Sequence, residues 1–296
     1  MSRSSPQGPV LILGCGFLGQ VLAQKLAFAG VPVIGTARGE PQLGIIRTRG
    51  ATALRLDGDP SVIDRLPLPI ARVLMAIPPE ANLDEALAAR IATWGLAPGK
   101  VVYVSSTSVY GDHGGAVVVE ATPVAPATDK ARMRVLAEDR WRAIGASVIR
   151  PAGIYGPGRS LLHRIAAGRH RLIDGGLAIT NRIHVADLAT LCEAAWNKPQ
   201  ATLLGADTTP ATQREVAEWC ARELGLPMAA SISSAEARVR MDKDTFQMFA
   251  QSKRLDPSWT LQTLAVKLRY PSWREGFRDL WAREKVALTA LVQASA

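Results

Sequence analysis

Apolar and polar positions along this 296-residue chain follow two alternating periods. Short apolar runs recur at Val10 to Leu13, Val31 to Thr36, Ala51 to Leu56, Arg72 to Ile77, Lys100 to Ser105 and Ser147 to Arg150, each with the length of a buried strand. Between most of them lie stretches with helical spacing: Gln20 to Ala29, a short Ser61 to Leu66, Leu83 to Trp94 and Ala131 to Ile144. This alternation predicts a doubly wound α/β fold, a parallel sheet with right-handed crossovers and helices on both faces. After Gly158 the regularity loosens. Leu161 to Ala167, Val185 to Trp196 and Gln213 to Leu224 read as helices and Ala201 to Leu204 as one more strand. Trp273 to Leu291 reads as a long amphipathic helix whose Phe277, Leu280, Trp281 and Leu288 belong to a core. The expected division is a core over 8–160, rejoined by 181–205, and a smaller C-terminal lobe from 161–180 and 206–296, with no flexible linker.

Composition narrows the class. Hydrophobic residues make up 48% and charged residues 21%, which fits a folded α/β protein and not a disordered chain. The longest apolar runs are strand-sized, so no membrane span is expected. Met1 to Pro9 is polar and the apolar run after it ends at Gly14, so no secretory signal is expected either. Cys15, Cys192 and Cys220 lack metal-type spacing, so no metal site is expected. They read as reduced core residues of a cytoplasmic protein. The net charge of +9 invites a nucleic-acid partner, but Lys and Arg are scattered among acidic residues with no basic run interleaved with aromatics, and that partner is set aside. A positive field also attracts a phosphorylated cofactor or a nucleotide-linked substrate.

The first strand runs straight into Gly14, Gly16 and Gly19 within VLILGCGFLG. Gly14 permits a tight turn, Gly16 lets backbone approach a pyrophosphate, and Gly19 lets helix and strand pack closely. With Phe17 and Leu18 they open a helix whose N-terminus would face the phosphates, the pattern of a Rossmann-type dinucleotide site. Arg38 stands just after the second strand, where such folds usually place an acidic residue on the adenosine ribose. An arginine there can pair with a 2′-phosphate. A hydrogen bond to a charged group is worth about 1.5–3 kcal/mol, which points to NADP, with NAD as the alternative because Glu40 lies close by. Arg47 and Arg49 can add to the same charge. Asp57, in LRLDGD, either meets the adenine or caps the helix near Ser61.

From Val10 to about Phe277 the chain resembles the extended short-chain dehydrogenase/reductases, the family of nucleotide-sugar epimerases and dehydratases. GCGFLG resembles the cofactor loop, LDGD the adenine contact and AIPP (Ala76 to Pro79) the loop below the cofactor. SSTSVYG (Ser105 to Gly111), RPAGIYGPG (Arg150 to Gly158) and RIHVADL (Arg182 to Leu188) resemble three further signatures in the same order. The resemblance implies cofactor contacts at Ala76, Ile77, Pro78, Ser105, Pro151 and Ile154. It implies substrate contacts at Thr107, Tyr110, Arg159 and Arg182, and Ser106 as the serine that hydrogen-bonds the substrate oxygen. It also implies a homodimer through helices of the large domain.

One departure stands out. The family's catalytic tyrosine, followed four residues later by lysine, is absent. Aligning Ala137 and Glu138 with the alanine-glutamate pair that follows puts Lys130 at the tyrosine's place and Arg134 at the lysine's. This identifies the chain as a member of an atypical branch. The general acid-base help lost with a tyrosine is worth about 10²- to 10⁴-fold in rate, roughly 3–5 kcal/mol. Lys130 can replace it only if burial lowers its pKa from about 10.4 towards 7–8. Arg134 stays protonated and can only bind phosphate or ribose. His113, in GDHGG, titrates near neutrality and is a third candidate. His184 and Asp187 read as the cap and dipole partner of the helix they open. The function expected is an NAD(P)-dependent oxidoreductase or epimerase-like enzyme, NADP preferred, acting on a phosphorylated, carboxylated or nucleotide-linked small molecule. The alternative is a catalytically silent NADP-binding sensor or scaffold.

Overall fold

A computed structural model describes residues 8–295. Seven parallel strands form one sheet: β1 (Val10–Leu13), β2 (Val33–Ala37), β3 (Thr52–Arg55), β4 (Arg72–Met75), β5 (Val101–Val104), β6 (Ser147–Pro151) and β7 (Thr202–Gly205). They lie in the order 3-2-1-4-5-6-7. The apolar runs become these strands because both faces are covered: β1 and most of β4, β5 and β6 are buried along their length. The strand order reverses between β1 and β4, and the crevice at their carboxyl ends is where such sheets hold ligands.

Each face has its own helices. Leu18, Leu22 and Leu26 of α1 (Phe17–Phe28), Leu43 and Ile46 of α2 (Glu40–Thr48), and Leu188, Leu191 and Cys192 from Val185–Ala195 share one core. Leu83, Leu87 and Ile91 of α3 (Ala81–Ala92) and Ala137 and Trp141 of α4 (Asp129–Ala143) share the other. Leu162, Ile165, Val216, Ala217, Trp273, Phe277, Leu280 and Leu288 form a third core among α5 (Leu161–Ala166), α7 (Gln213–Leu224) and α11 (Trp273–Ser295), with α6 being Val185–Ala195. Trp281 is only half-buried against it.

Four helices were not expected: α2, α8 (Ser234–Arg240), α9 (Lys243–Ala250) and α10 (Ser258–Leu264). In α2 the Pro41 that discourages a helical reading sits in the first turn, where no amide is lost, and Leu43 and Ile46 drive its docking. The Thr260 hydroxyl accepts from the Leu204 amide at 2.8 Å, and Leu264 and Leu268 enter the sheet core. The span 206–296 therefore does not stay within a lobe, because the stretch around α10 returns to the sheet.

No helix among the described residues is long and apolar enough to cross a membrane. The polar leader before Gly8 lies outside the described residues. All three cysteines are free and buried, and burial pushes the Cys15 and Cys192 thiols up to about 12.

Candidate functional site

The glycine turn takes the three forms its spacing implies. Gly14 has φ +81°, its amide donates to the Thr36 hydroxyl at 3.0 Å, and a Cβ there would stand 2.8 Å from the Ile77 backbone nitrogen. A Cβ on Gly19 would stand 3.0 Å from Ile12 Cγ2 and 3.1 Å from the Gly14 carbonyl. Gly16 has nothing within 4 Å in the direction of its missing Cβ, so a ligand can approach its backbone there. The first turn of α1 carries no side-chain cap, and Gln20 is the residue whose amide reaches back to the Gly16 carbonyl, at 2.8 Å. This cradle fits a dinucleotide diphosphate. Leu18 points into the core, so only its backbone can take part, while Phe17 is half-buried at the surface of the turn.

The charges beyond β2 are sorted by their partners. Glu40 accepts from Arg47 at 2.5 Å and lies 3.6 Å from Arg55, and the Arg47 hydrogen bond holds its carboxyl below the usual range. Arg38 instead reaches Glu80 at 3.3 Å, with both side chains more than half exposed. Arg49 donates to Gln24 at 2.7 Å, away from Arg38. Asp57 is exposed past the end of β3, and the capping alternative falls to Asp59, whose carboxylate accepts from the Ser61 amide at 2.9 Å.

At the end of β5 the serine turn is framed by a buried ion network. Ser105 donates to Glu138 Oε1 at 2.6 Å, and Glu138 also accepts from Arg150 Nε at 2.9 Å and Nη2 at 2.6 Å and from Arg142 at 3.3 Å. The Ser105 hydroxyl is thereby committed to Glu138, which leaves its backbone for the expected cofactor contact. The expected substrate contact at Tyr110 is corrected: it is 0% exposed, lies under the Arg150 guanidinium at 4.8 Å, and is part of the core and not of a substrate wall. Ser106 is half-buried, and its oxygen accepts from the Ser108 amide at 3.1 Å. Its own O–H remains available. Thr107 is half-buried beside it.

Arg134 reaches across from α4 and donates to the Ser105 carbonyl at 3.4 Å, placing a fixed positive charge beside Ser106. Lys130 does the opposite. Its side chain is 74% exposed and its Nζ lies 3.0 Å from Asp244 of α9, and that hydrogen bond raises its pKa. The burial required of a proton-donating Lys130 is missing. His113 is pinned, its Nε2 lying 3.1 Å from the Tyr110 carbonyl. Lys253 had no sequence signal: it is buried, donates to the Gly111 carbonyl at 2.6 Å and to Gln251 at 2.9 Å, and burial lowers its pKa to about 8.

The facing wall comes from the segment after β6. Pro151 and Ala76 to Pro78 line the ends of their strands, with Pro151 and Ile77 buried, Ala76 and Ile154 half-buried and Pro78 exposed. The short strand Gly153–Tyr155 pairs in parallel with Arg182–His184. Arg182 is half-buried, its backbone amide donates to Asp207 at 3.2 Å, and burial lowers its pKa. Asp207 has one carboxylate oxygen without a partner, and burial pushes its pKa up to about 7. Arg159 is exposed, with its guanidinium over the Phe17 ring at 5.2 Å. His184 caps α6 as expected, accepting from the Ala186 amide at 3.2 Å. Asp187 fastens a neighbouring segment, accepting from the Arg269 and Tyr270 amides at 2.7 and 2.9 Å.

No protein-family model matches the chain. Protein YeeZ of Escherichia coli is 33% identical over 174 residues, a match covering 51% of this chain and 60% of that protein. The match thus spans less than two thirds of this curated relative. Among solved structures, a conserved protein of unknown function from Silicibacter pomeroyi superposes with a TM-score of 0.82 at 31% identity, over 94% of this chain and 100% of that one. MoeE5 in complex with UDP-glucose and NAD gives a TM-score of 0.73 at 20% identity, over 94% and 100%. The dTDP-glucose 4,6-dehydratase DesIV from Streptomyces venezuelae, solved with NAD bound, gives 0.76 at 15% identity, over 96% and 99%. At those identities the last two speak for the fold.

Proposed function

We propose that the chain, which belongs to the same family as the Silicibacter pomeroyi protein and has the extended short-chain dehydrogenase/reductase fold, is a nicotinamide-dinucleotide-dependent oxidoreductase or epimerase-like enzyme. In this reading it prefers NADP and acts on an anionic or nucleotide-linked small molecule. The observation that carries the reading is the glycine turn, crowded at Gly14 and Gly19 and open at Gly16. The backbone from Gly14 to Gly19 would hold the diphosphate, Arg38 a 2′-phosphate and Asp57 the adenine. The walls at Ala76 to Pro78, Pro151 and Ile154 would border the nicotinamide. When bound, such a cofactor supplies two-electron redox chemistry.

Ser106 would orient the substrate oxygen and Arg134 would hold positive charge beside it. The exposure of Arg38 and the diversion of Glu40 onto Arg47 and Arg55 support NADP over NAD. The NAD and UDP-glucose bound to MoeE5 support a nucleotide-linked ligand pair. The half-buried Arg182 on the facing wall supports an anion.

One observation favours the second reading, a dinucleotide-binding sensor or scaffold. Lys130, at the place of the missing tyrosine, faces solvent and Asp244. Titration of the purified protein with NADPH and NADH, followed by nicotinamide fluorescence and repeated with Arg38→Ala, tests the cofactor assignment. NADPH-selective binding lost in Arg38→Ala supports it. Binding of neither dinucleotide removes both readings.

A further inference from the structure

Arg159 stands on the facing wall, where the sequence suggested a substrate contact, yet its side chain leans on the first residue of α1. The guanidinium lies over the Phe17 ring at 5.2 Å, and Phe17 directly follows Gly16, the glycine with open space in front of it. We infer that Arg159 is a diphosphate-binding residue that uses Phe17 as a seat and brings a second positive charge to the mouth of the glycine turn. This inference rests on the dinucleotide reading above and moves Arg159 from substrate to cofactor.

Four observations support it. First, the charge is unspent. Arg159 enters no ion pair among the described residues and is exposed, whereas Arg38 meets Glu80, Arg142 and Arg150 meet Glu138, and Arg134 meets the Ser105 carbonyl. Second, its backbone is held in a closed turn: the Gly156 amide donates to the Arg159 carbonyl at 2.9 Å and the Arg159 amide to the Gly156 carbonyl at 3.0 Å. Third, the turn is anchored from the other side, where the Gly158 amide donates to Glu284 of α11 at 2.9 Å. Fourth, the turn presses directly on α1. A Cβ on Gly156 would stand 3.2 Å from Phe17 Cζ and 2.6 Å from Val185 Cγ1, so glycine is what allows this approach.

The physics of the pair suits an anion between them. The N-terminus of α1 carries about half a positive charge on its free amides, but its backbone cannot follow a ligand. A guanidinium offers a rigid fork of donors that matches two phosphate oxygens, and stacking on an aromatic ring orients it while leaving the donors free. The closed turn reduces the freedom Arg159 would lose on binding. Arg159 would therefore serve every ligand that carries the diphosphate, whatever stands on the adenosine ribose. Arg38 would serve only those with a 2′-phosphate.

Equilibrium titrations of the full chain with NADPH, NADH, ADP and adenosine separate these roles. Arg159→Ala should weaken NADPH, NADH and ADP by a common factor of about 10- to 100-fold, with adenosine unaffected and the NADPH to NADH ratio unchanged. Arg159→Lys should recover only part of the loss. Phe17→Leu, which removes the seat but keeps the charge, should weaken the same three ligands by a smaller factor. Arg38→Ala should change the ratio alone. The side chain of Arg159 is exposed, so the melting temperature of Arg159→Ala should match the wild type and exclude misfolding. If the wild type binds NADPH and Arg159→Ala binds NADPH, NADH and ADP equally well, this inference falls and the dinucleotide reading stands. If the wild type binds none of them, both fall together.

Discussion

Arg150 and Glu138 are joined by two parallel hydrogen bonds, Nε to Oε1 at 2.9 Å and Nη2 to Oε2 at 2.6 Å, between side chains 7% and 2% exposed. The pair ties β6 to α4, and the Ser105 hydroxyl joins it at 2.6 Å, so the turn that presents Ser106 rests on this bridge. A buried pair of this kind adds little over an apolar pair of the same shape, but removing one partner strands the other charge and costs about 3–5 kcal/mol. Glu138→Ala should lose about that much in urea denaturation. The double variant Glu138→Leu with Arg150→Met should recover much of the loss. A single-variant loss under about 1 kcal/mol would mean that the bridge is not what holds the turn.

Gly14 and Gly16 are two residues apart and should respond in opposite ways. Gly14 has φ +81° and no room beside Ile77, so Gly14→Ala should unfold at lower temperature and lose about 1–3 kcal/mol. Gly16 faces open space, so Gly16→Val should melt close to the wild type and still lose dinucleotide binding. Calorimetry and NADPH titration on the same samples would read both. A Gly16→Val protein that binds NADPH normally would place the ligand elsewhere.

The sheet was legible because its strands are buried on both faces and therefore read as continuous apolar runs ending at Gly14 or Ser105. α2 was not, since Gly39, Pro41 and Gly44 mask a helix whose docking depends only on Leu43 and Ile46. α10 escaped because its hold on the sheet, Thr260 to the Leu204 amide, spans 56 residues. The same limit applies at the site. The tight turn at Gly14 and the close packing at Gly19 are local and could be read one residue at a time. Whether Lys130 is buried depends on Asp244 of α9, and the Lys253 contact with Gly111 spans 142 residues. Ser105 and Tyr110 sit in the right motif, but their side chains turn inward, which a motif does not encode.

His170 is 4% exposed and neither ring nitrogen has a hydrogen-bond partner. Burial, aided by Arg164, Arg171 and Arg182, lowers its pKa from 6.5 to about 4. Between these values the unfolded chain binds the proton and the folded chain does not, so this histidine stabilises the fold fully above 6.5 and loses that stability as the pH falls towards 4. His184 works in the same direction, also near 4, while Asp207, raised to about 7, works in the other. The test therefore compares a variant with the wild type at each pH. His170→Leu should gain about 2 kcal/mol at pH 5 relative to its effect at pH 7.5. Parallel melting curves at the two pH values would contradict the assignment.

Gly276 lies under Tyr155 so closely that a Cβ would stand 2.8 Å from Tyr155 Cζ and 2.9 Å from Cε2. The ring also stacks on Phe277, with centroids 4.7 Å apart. Gly276→Ala should therefore cost about 1–3 kcal/mol through displaced rings. Tyr155→Phe removes a buried hydroxyl that has no partner and should be neutral or stabilising. Together they should cost less than the sum, because the shorter ring gives the methyl some room. Strict additivity in a double-mutant cycle would show that the two residues do not compete for the same space.

Ser106 and Lys130 separate the enzyme from the sensor. Ser106 keeps a free O–H at the end of β5 next to the Arg134 guanidinium, whereas Lys130 is exposed and bound to Asp244. If the chain turns over a carbonyl or nucleotide-linked substrate, Ser106→Ala should cut kcat at least tenfold with NADPH affinity intact. Its stability should fall by about 1 kcal/mol, from loss of the bond to the Ser108 amide. Lys130→Ala should leave kcat unchanged, since an exposed ammonium whose pKa is raised by Asp244 cannot deliver a proton near neutrality. A collapse of kcat in Lys130→Ala would require α9 to move and free the lysine. Normal turnover in Ser106→Ala would take the serine out of the mechanism and leave Arg134 and Thr107 as polar groups at the strand end.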